Sequence, residues 1–256
     1  MPNAICPMPN AICPMPNAIC PMPFSYICTM KFGVVVFPGS NCDRDIMDCI
    51  QNDLNLEVIQ LWHKDRDLSM FNTEDCIVLP GGFSFGDYLR CGAIAKFSPM
   101  MQSVIEFANK GGKVLGICNG FQILCESGLL PGALLRNAHQ QFVCKNIFMK
   151  GADGMPLKIP VAHGEGRYYA DQATLNALEA NGQVIYRYCD AEGNVTAEAN
   201  PNGSTNNIAG IRNAAGNVFG MMPHPERAAA AILGNTDGLK VFAQLFQIVP
   251  EPVAAF

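Results

Sequence analysis

Three short runs, KFGVVVF (31–37), CIVLP (76–80) and KVLGI (113–117), are apolar almost throughout. A strand with one wet face alternates polar and apolar residues. A continuous apolar run instead needs cover on both faces, which the strands of a parallel sheet receive from their crossover helices. Helix-compatible stretches separate the runs. IMDCIQNDL follows the turn residues and N-cap candidates of PGSNCDRD, and SPMMQSVIEFANK (98–110) closes on Gly111-Gly112. LEVIQLW (56–62) reads as a further strand. Later strand candidates are FVCKNIFM (142–149), LKIPVA (157–162), QVIYRY (183–188), NIAGIR (207–212) and NVFGMM (217–222), separated by turns more than by helices. They extend the sheet and add a flanking ribbon, with DGLKVFAQLFQIV as closing helix. The predicted class is α/β: a three-layer, mostly parallel mixed sheet with helices on both faces.

The first 29 residues are of another kind. MPNAICP occurs three times over residues 1–21, and residues 1–29 carry no charge. Two prolines in every copy deny the period a coiled coil, and without a basic start or a continuous apolar core the segment makes a poor signal peptide. Residues 1–29 are therefore read as a disordered repeat extension, or as residues upstream of a synthesis start at Met30, with a cysteine-rich metal arm as the weaker alternative. Residues 30–256 form the folded domain. No run approaches the roughly 20 apolar residues of a membrane span. The net charge of −5, with no block of Lys and Arg, argues against a nucleic-acid partner. Twelve cysteines, scattered and never spaced C-x-x-C, suit a reducing, cytoplasmic compartment better than a disulfide scaffold.

In a parallel sheet the ligand site lies at the carboxyl ends of the strands. Two unusual segments stand there, PGGFSFGDYLRCGAIA after CIVL and CNGFQIL after KVLGI. The second makes G-x-C-x-G, the spacing of a nucleophile elbow, in which a tight strand-to-helix turn exposes Cys118 between Gly116 and Gly120. The following helix offers free amides and a positive dipole end to a thiolate or an oxyanion. Of four histidines, His63, His139 and His163 read as structural or surface residues. His224 differs, since Pro225 stiffens its spacing to Glu226, a carboxylate able to orient the imidazole. Cys42, Cys49, Cys91, Cys125, Cys144 and Cys189 read as packing or unpaired thiols. His163 and Glu165 lack a third ligand at recognisable spacing, so no metal is expected.

GICNGFQIL with MMPHPE resembles the class I (triad) glutamine amidotransferase domain, a flavodoxin-like fold. FPGSNCDRD, LPGGFSFGDYLRCGAIA, GICNGFQIL, FVCK, VAHGEGRY, NPNGS and GMMPHPER, in that order, are similar to the glutaminase-subunit family of phosphoribosylformylglycinamidine synthase. The resemblance covers residues 30–256 and excludes the repeat. It implies Cys118 as nucleophile, His224 as base and Glu226 as orienting acid. Amides of Asn119 and of Gly82 or Phe83 would form the oxyanion hole, and Gln122 would help to seat the substrate.

The implied reaction is hydrolysis of glutamine to glutamate and ammonia. The ammonia would pass to a synthetase subunit that makes formylglycinamidine ribonucleotide with ATP in de novo purine biosynthesis, with a small bridging subunit as a further expected partner. Nothing in the chain resembles a phosphate-binding P-loop. ATP and Mg are therefore expected on the synthetase, with no cofactor in this chain. Asp87, Tyr88 and Arg90 stay open between facing the synthetase, contacting glutamine and tying the loop down, and His163, Glu165 and Arg167 could line the same cleft. Two rival readings are weaker. The HPE motif argues against the deglycase and protease group of the same fold, and a complete triad argues against a non-enzymatic interaction subunit.

Overall fold

The computed structural model describes residues 30–248. The expected extension, residues 1–29, lies outside the described residues, as do residues 249–256 at the end of the expected domain. In chain order the elements are β1 (Lys31–Val36), α1 (Asp43–Asp48, continued by a π turn), β2 (Glu57–Trp62), β3 (Cys76–Leu79), α2 (Pro99–Asn109), β4 (Lys113–Ile117), α3 (Asn119–Glu126) and β5 (Ala133–Leu135). There follow β6 (Val143–Lys150), β7 (Pro156–His163), β8 (Arg167–Tyr169), α4 (Gln172–Ala180), β9 (Val184–Cys189), β10 (Ile208–Arg212), β11 (Val218–Met221) and α5 (Asp237–Phe246).

Nine strands form one sheet in the order β2-β1-β3-β4-β11-β10-β9-β6-β7. From β2 to β11 every pairing is parallel, and from β11 outward every pairing is antiparallel. The fully apolar runs are the central strands of the parallel half: every residue of β3 and of β11 is buried. β2, at the edge, keeps only Leu61 buried. This mixed sheet is the predicted one, and its antiparallel half comprises the later strand candidates. β5 and β8 pair as a separate ribbon.

Register determines which side chains share a face. Gly33, Ile77 and Val114 align across β1, β3 and β4, and Leu79, Gly116 and Gly220 align across β3, β4 and β11. α3 covers this face: a Cβ on Gly116 would meet Leu124 and the Gly120 backbone, and one on Gly220 would meet Phe121. On the opposite face Phe32 and Phe219 pack edge-on against Phe246 of α5, at centroid distances of 5.4 and 6.0 Å. Helices thus cover both faces. The turn into α2 is capped, with the Ser98 side chain accepting from the Met101 amide and Pro99 opening the helix.

Gly120 marks how closely α3 lies on the sheet, since a Cβ there would stand 1.9 Å from the Leu79 carbonyl oxygen. In an open helix Gly→Ala is stabilising by about 1 kcal/mol. Here the sign reverses: Gly120→Ala should destabilise by about 3 kcal/mol, because backbone cannot yield as a side chain can. Chemical denaturation checks this, and an unchanged midpoint would contradict the close approach.

Candidate active site

β4 delivers Cys118 to the carboxyl edge of the sheet, and α3 leaves at once. The turn between them gives Cys118 φ 51° and ψ −104°, a left-handed value that only glycine adopts freely. Such a conformation costs on the order of 1–3 kcal/mol and persists because its surroundings hold it. The Cys118 amide donates to the Met221 carbonyl at 2.8 Å, and its own carbonyl accepts from Gln122 at 3.2 Å. The thiol is 6% exposed and opens on a cavity of about 500 Å³.

His224 follows β11, the neighbour of β4, so the sheet brings it beside Cys118. Its amide donates to the Pro160 carbonyl at 2.9 Å. Its Nδ1 lies 2.7 Å from Glu226 Oε1, and both side chains are buried. With Glu226 accepting at Nδ1, the Nε2 edge is the one available for proton transfer, and no hydrogen-bond partner of regular geometry occupies it. Burial alone would lower the basicity of this imidazole. The Glu226 carboxylate, together with the nearby Cys118, outweighs that and raises its pKa well above the ordinary histidine value.

The PGGF turn faces the elbow. Gly82 has φ 137°, and a Cβ there would stand 2.7 Å from the Asn41 amide nitrogen. The Phe83 amide donates to the Gly39 carbonyl at 3.0 Å and is thereby occupied, whereas the Gly82 amide makes no such bond. Of the two candidates, Gly82 therefore retains a free donor. Asn119, in the first turn of α3, has no helical acceptor for its amide. Its side chain ties the loop to the elbow, accepting from Ser84 N at 3.1 Å and donating to Gln122 Oε1 at 2.9 Å and Asp87 Oδ1 at 3.2 Å. Gln122 lines the cavity, but its Nε2 also donates to the Glu165 carbonyl at 2.7 Å, so both ends of its amide are engaged.

The open readings of the long loop separate. Arg90 ties it down through Glu126 at 2.7 Å, Tyr88 and Leu89 point outward, and Asp87 lines the cavity. Burial raises the Asp87 pKa, and Glu165 adds to the rise, while bonds from Cys91 and Asn119 oppose it. Of the HGEGR cluster, His163 and Glu165 line the cavity and Arg167 does not. Two thiols read as packing residues, Cys42 and Cys91, also line it. Cys42 ends the loop after β1, at the carboxyl edge where the site was expected, so its position along the chain was the available signal. Arg136 and Arg227 join the lining as well; nothing local marks Arg136, whereas Arg227 directly follows the HPE motif.

A family model described as the CobB/CobQ-like glutamine amidotransferase domain matches residues 29–244. A curated relative from Moorella thermoacetica, phosphoribosylformylglycinamidine synthase subunit PurQ, is 57% identical over 227 residues, covering 84% of this chain and 95% of its own. The subunit of the same name from Synechococcus elongatus is 57% identical, covering 88% of this chain and all of its own. The chain belongs to the PurQ family. A chain in the structure of PurLQS from Thermotoga maritima shares the fold at a TM-score of 0.70 and 38% identity, covering 86% of this chain and 98% of that one. Membership gives the fold its class, a glutamine amidotransferase domain. Among the described residues, no helix is long and apolar enough to cross a membrane.

His163 links this family site to stability. Its Nδ1 lies 3.1 Å from Asn137 Oδ1 and its Nε2 3.5 Å from Asn202 Nδ2, and burial, helped by His224, lowers its pKa to about 4. The unfolded chain therefore takes up a proton near pH 6.5 that the folded chain refuses until about pH 4. His163 thus costs the fold up to about 3 kcal/mol as pH falls through that window and nothing above it. In denaturation at several pH values, His163→Gln should flatten the acid loss. An identical pH dependence would contradict the neutral imidazole.

Proposed function

We propose that this chain hydrolyses glutamine through Cys118, His224 and Glu226 and supplies the ammonia to a synthetase subunit. The observation that carries the reading is a cysteine held at positive φ on a strand-to-helix corner, facing an imidazole whose far nitrogen is bound by a buried carboxylate. His224 takes the thiol proton, and the sulfur attacks the amide carbon of the glutamine side chain. The tetrahedral oxyanion sits against the amides of Gly82 and Asn119, where losing one donor would cost about 3 kcal/mol of barrier. The intermediate collapses to a thioester as ammonia leaves with the proton from the imidazolium. Water then attacks, giving its proton to Nε2, and a second collapse releases glutamate and restores the thiol. Glu226 holds the tautomer throughout and remains ionised.

The acceptor reading rests on the relatives. Their name, and the three-component assembly named for the Thermotoga structure, support a synthetase and a small third subunit as partners. The synthetase would convert formylglycinamide ribonucleotide to formylglycinamidine ribonucleotide, holding ATP and Mg itself. The reaction belongs to a reducing, cytoplasmic compartment, where the free thiols survive. Because released ammonia would be wasted, the isolated chain should turn over slowly and be activated by the loaded synthetase.

The test is formylglycinamidine ribonucleotide formation by the purified chain with its cognate synthetase, from glutamine and from ammonium. Cys118→Ala should abolish the glutamine-dependent rate and leave the ammonium-dependent rate intact. His224→Asn should lower the former by about 10²–10⁴-fold. Wild type without product from glutamine, while ammonium still works, would refute the assigned acceptor.

A further inference from the structure

Hydrolysis as described gives Cys42 no task, yet this thiol is built into the cavity. It is 3% exposed, and its Sγ lies 3.1 Å from both Arg227 Nη2 and Asn41 Oδ1. It faces the imidazole across Gly81, where a Cβ would stand 3.0 Å from Cys42 Sγ and 2.8 Å from His224 Cε1. Donor atoms of Cys42, His224 and Glu226 all lie within 4.8 Å of one another, each on a buried residue. Since Glu226 occupies Nδ1, Nε2 is the ring nitrogen left without a hydrogen-bond partner, and its lone pair becomes available once its proton leaves. Cys118 stands outside that trio and opens on the same cavity.

Two sulfurs and one imidazole nitrogen, with a carboxylate behind the ring, are the donors a thiophilic divalent cation prefers, whereas Mg²⁺ and Ca²⁺ take oxygen. A carboxylate on the far nitrogen of a ligating histidine fixes its tautomer and strengthens it as a ligand. We propose that the cavity is an inhibitory site for a cation of the Zn²⁺ class, held by Cys42 Sγ, Cys118 Sγ and His224 Nε2, with Glu226 orienting the imidazole. Binding sends the protons of the two sulfurs and of Nε2 to solvent and exchanges the Arg227 contact for the metal. Arg227 has an alternative partner, since its Nε already donates to Asp45 at 2.8 Å. The cation engages the nucleophile and the base together, so it regulates the site and supplies no chemistry to it. The proposal deepens the Cys118–His224 reading and rests on it.

The experiment uses the full chain with Zn²⁺ and Cd²⁺ as probes, comparing wild type, Cys42→Ser, Cys42→Ala, Cys118→Ser and Cys144→Ser. Cys144 is an exposed thiol outside the cavity, and the repeat thiols are common to every variant. With the synthetase present, either Cys42 variant should need at least about tenfold more Zn²⁺ for half-inhibition of glutamine turnover. On the chain alone, the tight-phase sulfur-to-cadmium absorption should fall by about half in the Cys42 and Cys118 variants and stay unchanged in Cys144→Ser. Circular dichroism identifies any variant that fails to fold, and Cys42→Ser and Cys42→Ala stand in for each other. Equal Zn²⁺ sensitivity of folded Cys42 variants, or a cadmium band indifferent to them, would overturn the proposal. Absorption reads the metal site without turnover, so a wild type that binds cadmium as expected but leaves glutamine intact would defeat the catalytic reading alone.

Discussion

The site depends on the parallel pairing of β4 with β11. Val114, Leu115, Gly116 and Ile117 align with Val218, Phe219, Gly220 and Met221, and the bond from Cys118 N to the Met221 carbonyl extends that register by one step. Cys118 and His224, far apart in sequence, leave neighbouring strands at the same edge. A slip of one residue would displace His224 by about 3.3 Å and reverse the face of every side chain on the strand. Packing prevents it: Gly116 and Gly220 admit α3 on one face, while Phe219 meets Phe246 on the other. The strained turn at Cys118 is held by the same contacts that bury the core.

A second tier of order comes from polar side chains inside the cavity wall. Asn119 joins the loop after β3 to the elbow, and Gln122 joins the elbow helix to the turn after β7. Asn137 accepts at its side-chain oxygen from the Gly166 amide and lies beside His163. Such bonds are worth little individually but are costly to leave unmade when buried. They make four separate loops into one wall, and Glu226 keeps the imidazole aimed into it. Cys42 and Arg227 close the wall beside His224.

Much of this was legible in the sequence, for physical reasons. β1, β3 and β4 are buried on both faces and so appear as continuous apolar runs, and the carboxyl-edge rule for parallel sheets then locates the site. G-x-C-x-G and HPE are legible because the steric and orienting demands they meet are local. β5 and β8, of three residues each, are too short to leave a period. α4 hides in a stretch of modest amphipathicity, although Asp171 caps it by accepting from the Thr174 amide at 2.7 Å. The choice between Gly82 and Phe83 turned on the Gly39 carbonyl, a partner that only the folded chain supplies. Cys42 carries only its position at the carboxyl edge as a signal, because a lone thiol beside turn residues has no pattern and its neighbours Arg227 and His224 arrive from the other end of the chain.

The claim on which the rest stands is that Cys118, alone among the free thiols, is the nucleophile. Peptide-level mass spectrometry after treatment with a glutamine-derived diazo-ketone, in the presence of the loaded synthetase, tests it directly. The account predicts a single adduct on the peptide bearing Cys118, absent from Cys118→Ala. An adduct on Cys42 or Cys91, or none while ammonium-dependent synthesis proceeds, would contradict it.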